Sequence, residues 1–343
     1  MNTRRCNQRI GFPRRPSLTA RRALLAWLSL LPLLGTTLST LSLAAQAADR
    51  ATPIVVTDTT LERPGGEPAL PVRIAAPVTG TGLPVVLFSH GAYSSKDDYS
   101  ALLDHWAAHG YIVVAVTHRD STRLGAKRGN NDPRFMQWRL EDMALVADRL
   151  PSLLGSLSGS GLAQRADTSR IAATGHSFGG LIAQTLGGAM LRDPASGKAA
   201  SHRLPNVRAT IIFSGAGAMP PVLTREDFLT LTVPTLVTVG TDDLKQAPDL
   251  SGYEWRRQPY DLIAPGNKYL LVLDGADHYL GGSVGRDDLP RSPQADAYIA
   301  AFRQASTLFL DAWLKDNPAA QRRLDAAPPS AAAFAERATL ERR

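Results

Sequence analysis

Apolar and polar residues are arranged along the chain in blocks. Short apolar runs at residues 72–76, 84–89, 111–117, 170–174, 207–213, 235–239 and 269–273 are separated by longer amphipathic stretches. Several runs are β-branched and apolar at nearly every position, the pattern of strands buried on both faces. Helical spacing puts Leu102, Leu103 and Trp106 on one face of a segment at 98–109 closed by Gly110, and predicts further helices at 135–154, 181–191 and 295–313. Strands alternating with helices imply a parallel sheet with right-handed crossovers. The Gly/Ser-rich stretch 155–163, the polar insertion 192–205 and the segment 244–266 fit this scheme poorly. The last carries Tyr253, Trp255 and Tyr260 among Pro and Gly, and reads either as the border of a pocket or as a surface loop packed by its own aromatics. Residues 319–343, rich in Ala and ending in Arg, read as a loosely attached helix or frayed terminus.

Charge changes the picture at one end only. The 343 residues hold 38 Lys and Arg against 31 Asp and Glu, a formal charge of +7 that suggests an acidic partner. Seven of those arginines fall in residues 1–47, where there is no carboxylate, which leaves 31 cations against 31 anions in the remainder. A neutral body argues against nucleic-acid binding, and 44% hydrophobic residues exclude a disordered chain. The Arg-rich start runs into the apolar residues 23–35 and then Ala45-Gln46-Ala47, an A-x-A cleavage site, so residues 1–47 read as a signal peptide. Pro32 and the following Ser and Thr keep the apolar stretch short of the roughly 18 residues of a membrane span, so none is expected in the mature protein. Arg21-Arg22-Ala23-Leu24-Leu25 looks like a twin-arginine signal with Ala20 in place of the usual Ser or Thr, and both that route and ordinary secretion stay open. The expected location is periplasmic or secreted, in a bacterium. The single cysteine, Cys6, lies in this leader, so the mature chain has no disulfide and depends on a packed core. Residues 48–318 form the expected single domain, with 319–343 as a C-terminal tail.

The chemistry centres on Gly175-His176-Ser177-Phe178-Gly179-Gly180, which follows a predicted strand and opens a helical pattern. In that context G-x-S-x-G is a sharp turn that lifts the serine clear of the sheet. Gly281-Gly282-Ser283-Val284-Gly285 also matches the spacing but lies in a polar loop with no strand before it, and reads as incidental. A serine at its free pKa is a poor nucleophile, so a histidine must take its proton and a carboxylate must orient that histidine. Of seven histidines, His278 stands just after the last apolar run, where a loop returns to the sheet's C-terminal edge. His105 and His109 have i, i+4 spacing but bracket Trp106 and lack a third ligand, so no metal site is read there. His202 lies in an insertion, and His118 and His176 read as neighbours of the site. For the acid, Asp242 and Asp243 end the penultimate run and give the order Ser, Asp, His, with Asp277 as a third option. The tetrahedral intermediate needs two donors: the N–H of Phe178, after the nucleophile, and an N–H from an earlier loop, for which Ala92 in Ser89-His90-Gly91-Ala92-Tyr93 is the candidate. His90 reads as a residue fixing that loop. Tyr93 either shapes a substrate pocket or caps the core.

Ser89-His90-Gly91, Thr117-His118-Arg119-Asp120-Ser121, Ser169-Arg170-Ile171-Ala172 and Gly175-His176-Ser177-Phe178-Gly179-Gly180 together resemble the platelet-activating-factor acetylhydrolase and dienelactone-hydrolase-like branch of the α/β-hydrolases, over roughly residues 84–280. The resemblance implies an α/β-hydrolase fold with a mostly parallel eight-stranded sheet and helices on both faces, a Ser-Asp-His triad, and cleavage of carboxylic esters with no cofactor. In this superfamily the acid commonly falls three residues after the glycine ending its strand, which selects Asp243 after Gly240. Two departures stand out. Dienelactone hydrolases carry cysteine where this chain has Ser177, and eukaryotic acetylhydrolases carry their acid where this chain reads Phe213-Ser214-Gly215. The chain is similar also to bacterial cutinases that cleave polyesters, although these usually carry a disulfide near the C-terminus. The expectation is an exported serine carboxylesterase acting on a small-molecule, lipid or polymer ester through Ser177, Asp243 and His278, with a phospholipase A2-type acetylhydrolase or a cutinase as alternatives. A noncatalytic binding protein on the same fold is the alternative of a different class.

Overall fold

In the computed structural model, residues 51–157, 159–244, 249–326 and 337–343 are described, and the signal-peptide reading of 1–47 lies outside them. All seven predicted apolar runs are strands: β2 (Leu70–Pro77), β3 (Leu83–Ser89), β4 (Ile112–Val116), β5 (Ala166–His176), β6 (Val207–Phe213), β7 (Thr235–Gly240) and β8 (Lys268–Leu273). β1 (Ile54–Leu61) and β9 (Ala338–Arg342) complete one sheet of order β1-β2-β4-β3-β5-β6-β7-β8-β9. The six strands from β4 to β8 in that order run parallel, flanked by antiparallel β1–β2 on one side and β9 on the other.

The period of two along each strand feeds two cores. Val85 and Leu87 of β3 point to the face covered by α2 (Arg134–Gly155), α3 (Phe178–Gly187) and α4 (Gly252–Leu262), in the core that also holds Leu140, Met143, Ile182, Leu186 and Trp255. Val86 and Phe88 point to the other face, covered by α1 (Ser100–Ala108) and α5 (Ala295–Leu314), where they meet Leu103, Trp106, Phe302 and Phe309. Burial on both faces is why these strands carry unbroken apolar runs. The fold is that of an α/β-hydrolase, and the described residues give this sheet nine strands where the resemblance implies eight.

The ninth strand revises the reading of residues 319–343 as a loose tail. Pro318–Ala326 forms α6, with Leu324 buried, and Ala338–Arg342 pairs with β8 in the register Leu271↔Leu340. Ala338 and Leu340 face the core, Thr339 and Glu341 alternate outward, and Arg342 ends the strand exposed. Two inward residues on a five-residue edge strand leave too little apolar signal beside an Ala-rich stretch. The segment 244–266 also differs from a loop. Its residues 252–262 are α4, opened by Ser251, whose side chain accepts from the Glu254 N–H while Glu254 returns a bond to the Ser251 N–H. The predicted helix at 181–191 starts earlier and stops at Gly187, because Gly188 at φ 134° turns the chain into the short hairpin of Leu191–Arg192 with Ala199–Ala200.

If β9 contributes to the folded core, Leu340→Ala lowers stability by about 2 kcal/mol or more, read by urea unfolding. An unchanged midpoint would mean that the C-terminal segment is dispensable.

Candidate active site

β5 runs into α3 with only Ser177 between them, and Ser177 sits at φ 56° and ψ −117°. That backbone region is sparsely populated by residues with a side chain and stores strain on the order of 1–3 kcal/mol. It is held by the Ser177 N–H on the Phe213 carbonyl (2.9 Å) and the Leu181 N–H on the Ser177 carbonyl (3.1 Å). Glycine is required at 179 because a Cβ there would be driven into the Ser89 carbonyl at the end of β3. The turn thus leaves Ser177 half-buried at the C-terminal edge of the sheet, beside the loop that follows β3.

His278 lies in the loop after β8, buried, with Nδ1 2.7 Å from Asp243 Oδ1. Asp243, just past β7, accepts from Ser214 Oγ at Oδ2 (2.6 Å) and from the Leu244 N–H at Oδ1 (2.7 Å). Arg256 Nε of α4 lies 2.9 Å from Oδ1, but its N–H is not aimed at the carboxylate, so the contact is an ion pair without a hydrogen bond. The Arg256 guanidinium instead donates to the carbonyls of Ser214 and Gly215. Of the three candidate acids, only Asp243 meets the histidine. Asp242 is exposed, and Asp277 caps its own loop by accepting from the N–H groups of Tyr279 (3.0 Å) and Gly281 (2.7 Å). Among the described residues no hydrogen bond joins Ser177 Oγ to His278. The two are linked through His176, whose ring packs on that of His278 at 4.6 Å and whose Nε2 is 2.8 Å from the His278 carbonyl.

Burial pushes the His278 imidazole below its ordinary 6.5 even though Asp243 pulls the other way. For Asp243, burial raises the carboxyl, but His278, Arg256 and Ser214 together outweigh it and hold it below the usual carboxylate value. The pair therefore rests as neutral imidazole and carboxylate, the state a general base needs. Burial also holds His90 and His176 well below 6.5.

The loop after β3 faces this pair. His176 Nε2 faces a carbonyl and must be the protonated nitrogen, so Nδ1 accepts from the Tyr99 hydroxyl (2.7 Å), and Tyr99 Oη accepts the Gly91 N–H (3.0 Å). The Tyr93 N–H goes to Asp120 (3.3 Å) and the Ser94 N–H to the Gly91 carbonyl (3.3 Å). Among the described residues the Ala92 and Phe178 N–H groups have no protein acceptor. Tyr93, at φ 64°, donates its hydroxyl to Asn131 Oδ1 (3.0 Å) and lines a cavity of about 200 Å3 with Thr122, Arg123, Arg128 and Arg286. His90 Nε2 accepts the His118 N–H (2.9 Å). His118 bridges Ser89 Oγ and Asp142, both fully buried. His105 bonds Thr307, and His109 bonds the His105 carbonyl.

Sequence reasoning misses Ser214, Arg256 and Tyr99. The capping box Ser251-x-x-Glu254 is a signal for the helix that carries Arg256, masked by Pro259 within it. Nothing local marks Tyr99 or Ser214 as partners of the site.

A chlorophyllase family model matches residues 49–200, the stretch that holds Ser89-His90-Gly91 and the Ser177 turn. The platelet-activating factor acetylhydrolase of Cavia porcellus is 29% identical over 165 residues, 35% of this chain and 36% of that protein. Chlorophyllase-1 of Citrus unshiu is 29% identical over 180 residues, 46% of this chain and 50% of that protein. Chlorophyllase-1 of Arabidopsis thaliana is 47% identical over 55 residues, 16% of this chain and 17% of that protein. The chain thus spans half or less of the length of these relatives. The sheet is that of the α/β-hydrolases, and the matches make the chain similar to proteins named chlorophyllase and platelet-activating factor acetylhydrolase.

In an NMR titration of the folded protein, the His278 ring is expected to titrate below 6.5 and to move further down in Asp243→Asn, since the carboxylate supports the charged ring. The same sign governs stability: the unfolded imidazoles take up protons near 6.5 while buried His90, His176 and His278 resist them, so stability is lost as pH falls below that value. A His278 midpoint above 6.5 contradicts this.

Proposed function

We propose that the protein is a serine carboxylesterase that works through an acyl-enzyme. The observation that carries this reading is the buried Asp243–His278 pair, 2.7 Å apart, set beside the strained turn of Ser177 and two N–H groups without protein acceptors. Ser177 Oγ attacks the ester carbonyl carbon and its proton passes to His278 Nε2. Asp243 holds the ring through Nδ1 and balances the imidazolium. The negative charge on the former carbonyl oxygen is taken by the Ala92 and Phe178 N–H groups. Collapse of this intermediate breaks the C–O bond, and the departing alkoxide takes the proton from His278. A water, deprotonated by His278, then attacks the acyl carbon and releases the acid and free Ser177. No step calls on a metal or cofactor.

The relatives named chlorophyllase and platelet-activating factor acetylhydrolase support an ester as substrate. A near-neutral chain beyond the Arg-rich first 47 residues suits an uncharged small-molecule, lipid or polymer ester better than a polyanion. The leader supports a bacterial periplasmic or secreted location, and among the described residues no helix is long and apolar enough to cross a membrane. An acetylhydrolase of the phospholipase A2 type is the second reading, favoured by the Cavia porcellus match, and a cutinase-like polyester hydrolase the third. A panel of esters of rising acyl length with a phospholipid and a polyester separates them.

Ser177→Ala and His278→Ala are each expected to lower kcat on p-nitrophenyl acetate by about 10⁶-fold, and Asp243→Asn by about 10⁴-fold. Asp242→Asn should leave kcat nearly unchanged. Hydrolysis that survives Ser177→Ala sinks the mechanism, and a noncatalytic binding protein would show no fluorophosphonate labelling of Ser177. Because Ala92 would act through its N–H, Ala92→Gly should be tolerated and Ala92→Pro should not. Equal losses in both would assign the role to the side chain.

A further inference from the structure

Below the loop after β3 lies a charge that the ester chemistry does not use. Arg139, on α2, is fully buried. Its guanidinium meets Asp120 fork to fork, Nε to Oδ1 at 3.0 Å and Nη2 to Oδ2 at 2.7 Å. Its remaining N–H groups reach upward into the loop. Nη1 donates to the His90 carbonyl (2.5 Å) and Ser89 Oγ (3.3 Å), and Nη2 donates to the Gly91 carbonyl (3.1 Å). The central carbon of the guanidinium lies over the Phe178 ring, 4.5 Å from its centre. Asp120, in turn, accepts the Tyr93 N–H. His90 supports the same arrangement: its Nε2 accepts the His118 N–H, so Nδ1 carries the proton and donates to the Gly91 carbonyl at 2.6 Å.

The polar groups on both sides of Ala92 are therefore engaged by one buried ion pair, and the same guanidinium packs against the residue whose N–H is the second proposed donor. Burying an Arg and an Asp costs several kcal/mol of solvation for each ion, and a buried pair is on average no more stabilising than apolar residues of the same volume. Stability alone gives no reason to put a guanidinium here. What it supplies over an apolar side chain is five fixed N–H donors in one plane, enough to hold two loop carbonyls and a carboxylate at set angles.

We propose that Arg139, braced by Asp120, is a positioning residue that sets the two arms of the oxyanion hole, fixing the backbone at 90–93 and the Phe178 side chain so that the Ala92 and Phe178 N–H groups converge. This rests on the esterase reading above. Neither residue touches substrate. The group acts through the direction of the donors, so the effect falls on the tetrahedral state, where charge develops on oxygen, and leaves substrate binding in the ground state little changed.

Arg139→Lys keeps the charge and loses the fork, and Asp120→Asn keeps the shape and loses the brace. Arg139→Lys is expected to lower kcat about 10²-fold on p-nitrophenyl acetate, the scale of one lost or misdirected oxyanion donor, with KM within about 2-fold. Asp120→Asn should lower kcat by about 10-fold on the same principle of lost preorganisation. The acid limb of the pH–rate profile should stay in place in both, because neither Arg139 nor Asp120 bonds to Asp243 or to the His278 ring. Affinity for a boronic acid, which forms a tetrahedral anion on Ser177, should fall in parallel with kcat/KM. Added guanidinium, and not ammonium, should restore kcat to Arg139→Ala by about 10-fold or more if the planar donors are what matter. Wild-type kcat in folded Asp120→Asn or Arg139→Lys overturns the proposal, whether or not Arg139→Ala folds. So does a loss confined to KM, a shift of the acid limb, or a drop in Tm with normal activity per labelled Ser177. If the wild-type protein hydrolyses no ester, or does so equally after Ser177→Ala, the esterase reading itself fails, a result that Arg139 variants do not mimic.

Discussion

At the end of β3 the Ser89 carbonyl occupies the space that a side chain on Gly179 would need, and a side chain on Gly175 would be driven into the Gly179 carbonyl. This contact presses the first turn of α3 against the strand that leads into the Ala92 loop. It lets β5 turn within one residue and holds Ser177 in a backbone conformation that would relax if the neighbours withdrew. The distance between the serine and the loop that faces it is thereby set by backbone packing, the least compressible part of the interior. The parallel register of β3 with β5, Ser89 opposite Gly175, makes that approach possible.

Around this contact the interior holds carboxylates that are never left alone. Asp243 has His278, Ser214 and Arg256; Asp120 has Arg139; Asp142 has Arg63 and His118. An unpaired buried charge would cost far more than any of these contacts returns, so each acid brings its cation into the fold with it. The set Ser89, His118 and Asp142 repeats the order of hydroxyl, imidazole and carboxylate, with 2.9 Å between successive partners. Ser89 has no exposed surface, and its place on the strand gives it no room for a reactant. Side-chain geometry of this kind is therefore not sufficient for a site; the strained turn that exposes Ser177 makes the difference.

Two buried chains meet at the Ala92 loop from opposite sides. Tyr99 and His176 tie the Gly91 N–H to the backbone carbonyl of His278. Arg139 and Asp120 hold the loop from below. Loops are usually the soft parts of a fold, and this one owes its definition to polar groups contributed by α2, the loop after β4, the residue before α1 and the end of β5.

The strands from β2 to β8 are legible in the amino-acid order because burial on both faces demands unbroken apolar runs, and Ser177 is legible because a turn between strand and helix needs glycines at fixed spacing. β1 and β9 escape notice because an edge strand buries one face only, and α4 because Pro259 and its aromatics resemble a loop. The order of residues likewise offers Asp242, Asp243 and Asp277 as carboxylates near the ends of β7 and β8, and it is the resemblance that favours Asp243. Tertiary structure separates them: the Asp242 N–H bonds the Ala276 carbonyl and its carboxylate faces solvent, while Asp243 turns inward to His278. Arg139, Arg256 and Tyr99 reach the site from elements remote in sequence. Local composition determines which residues can turn, pair and pack; which side of a turn faces a histidine is decided only when strands and helices close upon one another and leave a buried charge no other partner.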